Sequence, residues 1–348
     1  MLLVLLLAAG LWGLGYIAGV SKTARVTSVS VLLLGVMLAQ VVLPDGHPLR
    51  QATGGSAAIW LILAGFAALV LVYGRVLKAL RNRATPTAAE GPSAPSDKFS
   101  ETELERYARH IVLRELGGPG QKRLKIARVL VIGAGGLGAP ALQYLAAAGV
   151  GTIGVIDDDE VENANLQRQV IHRDADIGMP KVFSAQQAME AQNPNVVVLP
   201  YNRRLTEEIA NDLFTDFDLI LDGTDNFETR YLANRTAVAL KKPLISGALS
   251  QWEGQLSVFD PATSGPCYQC IFPEAPAPEL APSCAQVGVI GPLPGVIGSM
   301  MAAEAIKVIT GAGQALRGEM VIYDALYGES RKISLSKRAD CPVCGSSA

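Results

Sequence analysis

The chain has 348 residues, 30 Lys and Arg against 32 Asp and Glu, and a 49% share of hydrophobic residues. That length exceeds one ordinary domain of roughly 100 to 250 residues, so a full α/β domain leaves chain over for something else. The near-zero net charge of −2 excludes a broad nucleic-acid-binding surface.

The additional part comes first. Residues 1–20, 26–43 and 57–74 are uncharged and apolar, each close to the ~20 residues that carry a helix across a bilayer. A secretory signal competes for the first stretch and buried core helices for the others. However, the chain opens Met1-Leu2-Leu3-Val4 with no basic start, and three such stretches are hard to hide in one small core. Lys22 and Arg25 lie in the first loop and Arg75, Lys78, Arg81 and Arg83 follow the third stretch, while loop 44–56 has only Arg50. The positive-inside rule therefore predicts a multi-pass anchor in the inner (cytoplasmic) membrane, with the N-terminus outside and everything after residue 75 in the cytosol. Residues 1–83 form this expected anchor. A Pro-, Ala-, Ser- and Thr-rich tether over 84–98 and a soluble domain over 99–348 follow.

Ser100 and Glu103 match a capping box, and Leu104, Tyr107, Ala108, Ile111 and Val112 recur at helical spacing, placing Arg106 and Arg109 on one side of a single helix. Strands are predicted over 126–132, 153–157, 196–199, 219–222 and 244–247, with helices over 139–148, 181–191 and 227–240. This alternation specifies a Rossmann-like, mostly parallel sheet covered on both faces. After residue 254 the pattern becomes an antiparallel extension, with strands over 255–260, 320–324 and 333–336 and a helix over 294–310.

The sequence GAGGLG, residues 133–138, sits where the first of these strands passes into a helix. Gly133, Gly135 and Gly138 fit the spacing that lets backbone amides approach a phosphate at a helix N-terminus. Asp157 closes the unit about 20 residues later, as a dinucleotide turn requires. Pro140 falls at the helix start, where its missing N–H has no intrahelical partner to lose. Cys267 and Cys270, and Cys341 and Cys344, form two CxxC pairs, a spacing that holds one structural zinc ion with four thiolates. Redox pairs or disulfides are the alternatives, and a cytosolic domain disfavours the latter. The fifth cysteine, Cys284, follows a Pro-rich segment; it is either a nucleophile or a small buried hydrophobe. Arg168 lies just after the acidic strand end. Lys181 begins a helix, where the dipole favours an acid unless a phosphate is near. Asp222, Asp225 and Asn226 lie at the mouth of the sheet, where carboxylates could hold magnesium.

GAGGLG, NANLQR, the Gly178-x-Pro180-Lys181 step, LDGTDN, EGQLSVF, CYQC, GVIGS and CPVCG together resemble the MoeB/ThiF/HesA family, relatives of ubiquitin-activating enzymes, over about residues 100–345. The resemblance implies ATP-dependent adenylation of the C-terminal glycine of a small ubiquitin-fold sulfur-carrier protein ending in Gly-Gly. It puts Gly136 under the phosphates and Asp157 and Asp159 by the ribose and metal side. Asn165, Arg168 and Lys181 would contact ATP, and Asp225 and Asn226 would bind magnesium and phosphates. Arg109 matches an arginine that reaches the neighbouring protomer's triphosphate, implying a homodimer. Cys284 matches a loop cysteine that forms a thioester or acyl disulfide in some members and is dispensable in others. Besides Pro140, two features depart from the soluble members: the membrane portion is additional, and with no rhodanese-like domain after Cys344 the persulfide donor is expected to be a separate protein. Competing readings are conjugation through a Cys284 thioester, an NAD-dependent oxidoreductase, which would not call for Lys181 and the DGTDN carboxylates, and a non-catalytic membrane-bound partner.

Overall fold

The structure, a computed structural model, describes residues 2–44, 46–84, 98–263, 265–276 and 287–345. The chain divides into two compact units, Met1–Gly91 and Pro92–Ala348.

In the N-terminal unit, helices α1 (Leu2–Ile17), α2 (Lys22–Val42) and α4 (Ala57–Ala84) coincide with the three apolar stretches, and a short α3 (Pro48–Ala52) lies in the second loop. Ser21 caps α2 by accepting from the Ala24 N–H. Val4, Val36 and Trp60 form a small contact core. Several of the loop's polar groups bond locally: Gln40 Nε2 donates to the Arg50 carbonyl at 2.8 Å, Arg50 Nη1 to the Leu43 carbonyl at 2.8 Å, and Trp60 Nε1 to the Thr53 carbonyl at 3.0 Å. Large apolar side chains instead point outward, among them Leu6, Leu34 and Ile62 at 62%, 63% and 71% exposure.

Among the described residues, two helical segments are long and apolar enough to cross a membrane, Ala24–Val42 and Pro292–Thr310. The second belongs to the core of the other unit, where Leu293, Ile297, Met301 and Ala305 are buried. The span expected over 1–20 is therefore corrected: α1 has 16 residues, which at 1.5 Å per residue reach only about 24 Å of a ~30 Å hydrocarbon layer. α4 has 28 residues but is not one of those two segments, so of the three expected spans only that over 26–43 is among them.

The C-terminal unit is one eight-stranded sheet. Its strands are β1 (Arg128–Ile132), β2 (Thr152–Asp157), β3 (Val197–Asn202), β4 (Leu219–Asp222), β5 (Leu244–Leu249), β6 (Glu253–Phe259), β7 (Glu319–Asp324) and β8 (Glu329–Ser334), in the order β3-β2-β1-β4-β5-β6-β7-β8. The first five are parallel and the last three antiparallel, as the change of pattern after residue 254 predicts. The last strand begins earlier than expected and ends at Ser334. Helices α8 (Gly138–Ala148), α9 (Lys181–Gln192), α10 (Glu207–Thr215), α11 (Phe227–Ala239) and α13 (Pro292–Thr310) cover the sheet, and a single turn, α12 (Tyr268–Ile271), carries one cysteine pair. One core joins β1 and β2 to α8, α9 and α13; the other joins β1 and β4 to α10 and α11.

The N-terminal helix of this unit is broken where the sequence predicts continuity: α5 (Glu101–Arg106) stops at Tyr107, and α6 (Ala108–Ile111) restarts after it. Tyr107 is buried, and its hydroxyl accepts from Asn193 Nδ2 at 2.8 Å. Arg106 donates to the Gln192 carbonyl at 2.6 Å, so Arg106 and Arg109 do not share one regular helix. A further helix, α7 (Gly117–Ile126), fills a region where glycines and Pro119 mask any helical signal.

The capping box at Ser100 and Glu103 is present, and Glu103 also binds the buried Lys125 of α7, with Nζ 2.6 Å from Oε1. Burial raises the Glu103 pKa, but hydrogen bonds from Lys125 and Ser100 outweigh it and hold the carboxyl below 4.5. A carboxylate held low in the fold contributes stability that is full above its unfolded pKa and fades as pH falls through the native value. We expect Glu103→Gln to lower the unfolding free energy of this unit at neutral pH by about 3 kcal/mol, the cost of leaving a buried cation unpaired. Denaturant titrations should show the gap to wild type closing as the pH is lowered.

Candidate functional site

β1 pairs with β2 on one side and β4 on the other, and the connections run in opposite directions from that point. Doubly wound sheets bind ligands there, outside the carboxyl ends of the strands. A cleft of about 960 Å³ opens at this place, lined by Gly133, Gly135 and Gly136 after β1, Asp157 and Asp159 after β2, and Asp225 and Asn226 after β4, together with Arg168 and Lys181. Its size suits a nucleotide-sized ligand.

The turn is shaped by glycines. Gly133 has φ +92°, and a Cβ on Gly138 would stand 1.9 Å from the Gly133 carbonyl oxygen. A Cβ on Gly136 would press on Pro294 at 3.1 Å, so α13 backs the turn. Asp157 orients it from β2: its carboxylate accepts from the Ala134 N–H at 2.7 Å and the Asp159 N–H at 2.9 Å. Burial raises the pKa of Asp157, and Lys181 and these two N–H groups oppose the rise.

Lys181 is 5% exposed, its ammonium lies 2.6 Å from Asp159 Oδ2, and its N–H donates to the Asp159 carbonyl at 2.9 Å. A buried cation at a helix start and an acidic strand end are thus joined at the cleft wall. Arg168 is half-buried and donates to the Ala164 carbonyl at 3.1 Å and to Asn165 Oδ1 at 3.3 Å. Asn165 thereby braces Arg168 and does not itself line the cleft. At the end of β4, Asp225 is exposed and Asn226 caps α11 by accepting from the Thr229 N–H at 2.9 Å.

The cleft thus unites most of the residues singled out for nucleotide contact, among them Gly136, Arg168, Asp225 and Asn226. Arg109 is not among its lining: it stands exposed on α6. Cys284 lies outside the described residues.

Asp222, expected from the sequence among the carboxylates that could hold magnesium, is instead a buried support, and the sequence did not reveal its partners or several other supporting groups. Asp222 is fully buried and accepts from Ser246 Oγ at 2.9 Å, with Arg230 Nη1 at 3.5 Å; Arg230 also donates to the carbonyls of Thr224 and Gly247. This buried pair fixes the loop that carries Asp225. Arg203 and Arg204 reach the cleft from the end of β3. Gln169 is buried at the cleft wall, and His172 is buried behind the turn with its Nε2 3.0 Å from the Ala134 carbonyl. Only position could have indicated Arg203 and Arg204, which follow a strand end; nothing local marks Arg230, whose partners lie on other strands.

Beside the segment that brings Tyr268, Ile271 and Phe272 to the cleft, Cys267, Cys270, Cys341 and Cys344 form a group able to hold a metal ion. Sulfur separations are 3.9 Å for Cys267 and Cys270, 3.6 Å for Cys267 and Cys341, and 3.4 Å for Cys270 and Cys344. A tetrahedron with metal–sulfur bonds of about 2.3 Å has edges of about 3.8 Å, so the donor set fits. Burial raises the Cys341 pKa, but backbone N–H groups of Cys344 and Val343 and the neighbouring thiols bring it down to about 7; burial pushes Cys267 up. Cys270→Ser should reduce bound metal below one ion per chain by elemental analysis and lower Tm, since metal binding in such sites is coupled to folding.

The ThiF family profile matches residues 107–343. A sulfur carrier protein adenylyltransferase of Thermus thermophilus is 50% identical over 252 residues, 71% of this chain and 93% of that protein. The SAMP-activating enzyme E1 of Haloferax volcanii is 47% identical over 244 residues, covering 70% of this chain and 90% of its own. A probable adenylyltransferase/sulfurtransferase, MoeZ of Mycobacterium tuberculosis, is 51% identical over 251 residues, 71% of this chain, although the match spans only 64% of that longer protein. In fold, the crystal structure of Escherichia coli MccB with ATP superposes with a TM-score of 0.60 at 23% identity, over 72% of this chain and 77% of that one. With this match over residues 107–343, which includes the glycine turn and the paired Asp159 and Lys181, and with relatives about 50% identical over most of their length, the chain belongs to the ThiF family.

Proposed function

We propose that the C-terminal unit adenylates the C-terminal glycine carboxylate of a small ubiquitin-like sulfur carrier. The observation that carries this reading is the meeting of Gly135, Gly136, Arg168, Lys181 and Asp225 in one cleft at the β1/β4 switch point. Cations and unpaired amides surround a triphosphate-sized space, and no general base is needed, because a carboxylate is already a nucleophile at neutral pH.

In the reaction, a carboxylate oxygen of the carrier attacks the α-phosphorus of ATP. The new O–P bond forms as the bond to the bridging oxygen breaks, and pyrophosphate leaves with those electrons. The N–H groups of Gly135 and Gly136 bind phosphate oxygens at the N-terminus of α8, where the dipole favours negative charge. Lys181 exchanges Asp159 for phosphate, and Arg168, held by Asn165, neutralises the charge that develops on the leaving group. Asp157 orients the turn and the ribose. Asp225, with no ion pair among the described residues, would hold magnesium, which supplies further charge neutralisation when bound. The four cysteines suit zinc, as a structural ion closed to substrate.

Arg109 acts in this proposal across a homodimer, which explains a cation exposed on α6 and absent from its own cleft. The apolar, outward-facing N-terminal helices anchor the enzyme in the inner membrane with the catalytic unit in the cytosol. A separate persulfide donor supplies the sulfur that displaces AMP.

Full-length protein in detergent should catalyse carrier-dependent exchange of labelled pyrophosphate into ATP. Asp225→Ala should abolish exchange while changing stability by less than about 0.5 kcal/mol, as expected for an exposed side chain; retained exchange would reject the site. Mixing inactive Arg109→Ala with inactive Asp225→Ala and allowing subunits to exchange should restore up to about a quarter of wild-type activity, because half of a random symmetric dimer pool then carries one intact site. No restoration would place Arg109 outside a shared site.

A further inference from the structure

Behind the glycine turn lies a buried polar chain that the mechanism above does not use. The Asp176 carboxylate oxygen Oδ2 lies 2.7 Å from Ser184 Oγ, Ser184 Oγ lies 2.8 Å from His172 Nδ1, and His172 Nε2 lies 3.0 Å from the carbonyl oxygen of Ala134. His172, Asp176 and Ser184 are 6%, 4% and 0% exposed. Ala134 is the second residue of the turn, and its N–H is already held by Asp157 at 2.7 Å. The two ends of this residue are thus gripped from opposite sides.

This grip has a consequence for the cleft. In a planar trans peptide the C=O of one residue and the N–H of the next point in opposite directions. With the Ala134 carbonyl drawn inward to His172, the N–H of Gly135 faces away from the core, and Gly135 lines the cleft. Among the described residues that N–H has no protein acceptor. We propose that His172 is a positioning residue that sets the Ala134–Gly135 peptide for phosphate, and that the strut from Asp176 to Ala134 holds one proton more than a neutral imidazole and an ionised carboxylate would supply.

The second half follows from counting hydrogens. Three contacts in series need three hydrogens. The Ala134 carbonyl can only accept, the Ser184 hydroxyl has one hydrogen, and a neutral imidazole has one. The third comes either from a second proton on His172 or from a protonated Asp176, two forms of one coupled pair. When that proton leaves, Ser184 donates to the Asp176 carboxylate, and His172 has a single hydrogen for two acceptors, Ser184 and Ala134. The charged groups around the chain are Asp176 with its partner Arg173, 3.3 Å away, Lys181 at the start of α9, and Asp157 across Ala134. Burial, the largest effect, holds the His172 pKa below its ordinary value and Lys181 acts in the same direction, while the Ala134 carbonyl and Asp176 favour the proton. Burial raises the Asp176 pKa, but hydrogen bonds from Ser184 and Arg173 outweigh it and hold the carboxyl low, so the extra proton is held only on the acid side.

This inference rests on the turn binding a nucleotide, and the experiment separates the two. Binding of a non-hydrolysable ATP analogue to the full-length protein, measured from the acid side, where the strut is protonated, through neutral pH, tests the nucleotide reading itself; absence of binding at every pH would overturn both. Given binding, the Kd of the wild type should rise by about tenfold across the alkaline limb, the worth of one hydrogen bond, with kcat for pyrophosphate exchange at saturating ATP unchanged. Asp176→Asn can donate to Ser184 without the extra proton, so its Kd should stay low and flat with pH. His172→Ala should bind weakly at all pH values, and His172→Gln, which can still donate to Ala134, should recover part of the loss. A flat wild-type profile, or a wild-type limb retained in Asp176→Asn, would overturn the strut, and the Asp176→Asn profile decides the matter even if His172→Ala fails to fold.

Discussion

The approach of the Gly133 carbonyl to the Cα of Gly138 sets the geometry of the catalytic unit. Where those two backbones meet, no Cβ fits, and the same is true one layer away, where a Cβ on Gly298 of α13 would stand 2.3 Å from the Leu137 carbonyl. The turn is therefore squeezed between its own strand and a long buried helix, with Asp157 and His172 gripping Ala134. Everything that gathers in the cleft is referred to this one rigid feature. Lys181 reaches it through the strand end at Asp159, Arg168 from beside Gly136, and the loop of Asp225 from β4, the strand beside β1.

The supports differ in kind from the groups they hold. Of the groups lining the cleft, Arg168 and Asp225 are loosely paired or unpaired among the described residues, whereas Lys181 and Asp157 are held closely. Asp222 with Arg230 at the cleft wall, and Asp176 with Ser184 and His172 behind the turn, are buried and hydrogen-bonded. Buried charges left unpaired cost several kcal/mol each, so such clusters hold their geometry firmly and release their partners reluctantly. Asp225 can stay available for ligand because a neighbouring residue, Asn226, caps the helix, and a different carboxylate, Asp222, locks the loop.

The strands of the parallel half were legible to within about three residues, because continuous Val, Ile and Leu runs between glycine turns admit little else. The glycine turn, Lys181, Asp225 and the cysteine pairs were legible for the same reason: their chemistry is carried by residue type at fixed short spacing. What escaped was set by distant partners. Tyr107 breaks a helix of good periodicity because its ring is drawn under Gly149 and its hydroxyl to Asn193. Arg230 reads as an ordinary helical cation until β5 brings Ser246 and Gly247 against it. His172 sits in a polar run where nothing local distinguishes it, and its acceptor lies 38 residues away. α1 read as a full span because composition continues past Ile17, where the helix does not.

The eight-stranded sheet has two outer strands, and each is ill suited to recruiting another. β3 carries Pro200 within its paired stretch, which removes a donor from the ladder, and β8, exposed at every residue, presents Glu329, Arg331 and Lys332. Prolines and charges at sheet edges disfavour edge-to-edge pairing between molecules. For a protein whose other unit is covered in outward-facing leucine, isoleucine and valine, and which would be crowded at high local density wherever those helices collect, this matters more than it would for a dilute monomer. The edges leave the molecule able to be concentrated without its sheets growing into one another, so that aggregation is resisted by the folded state itself.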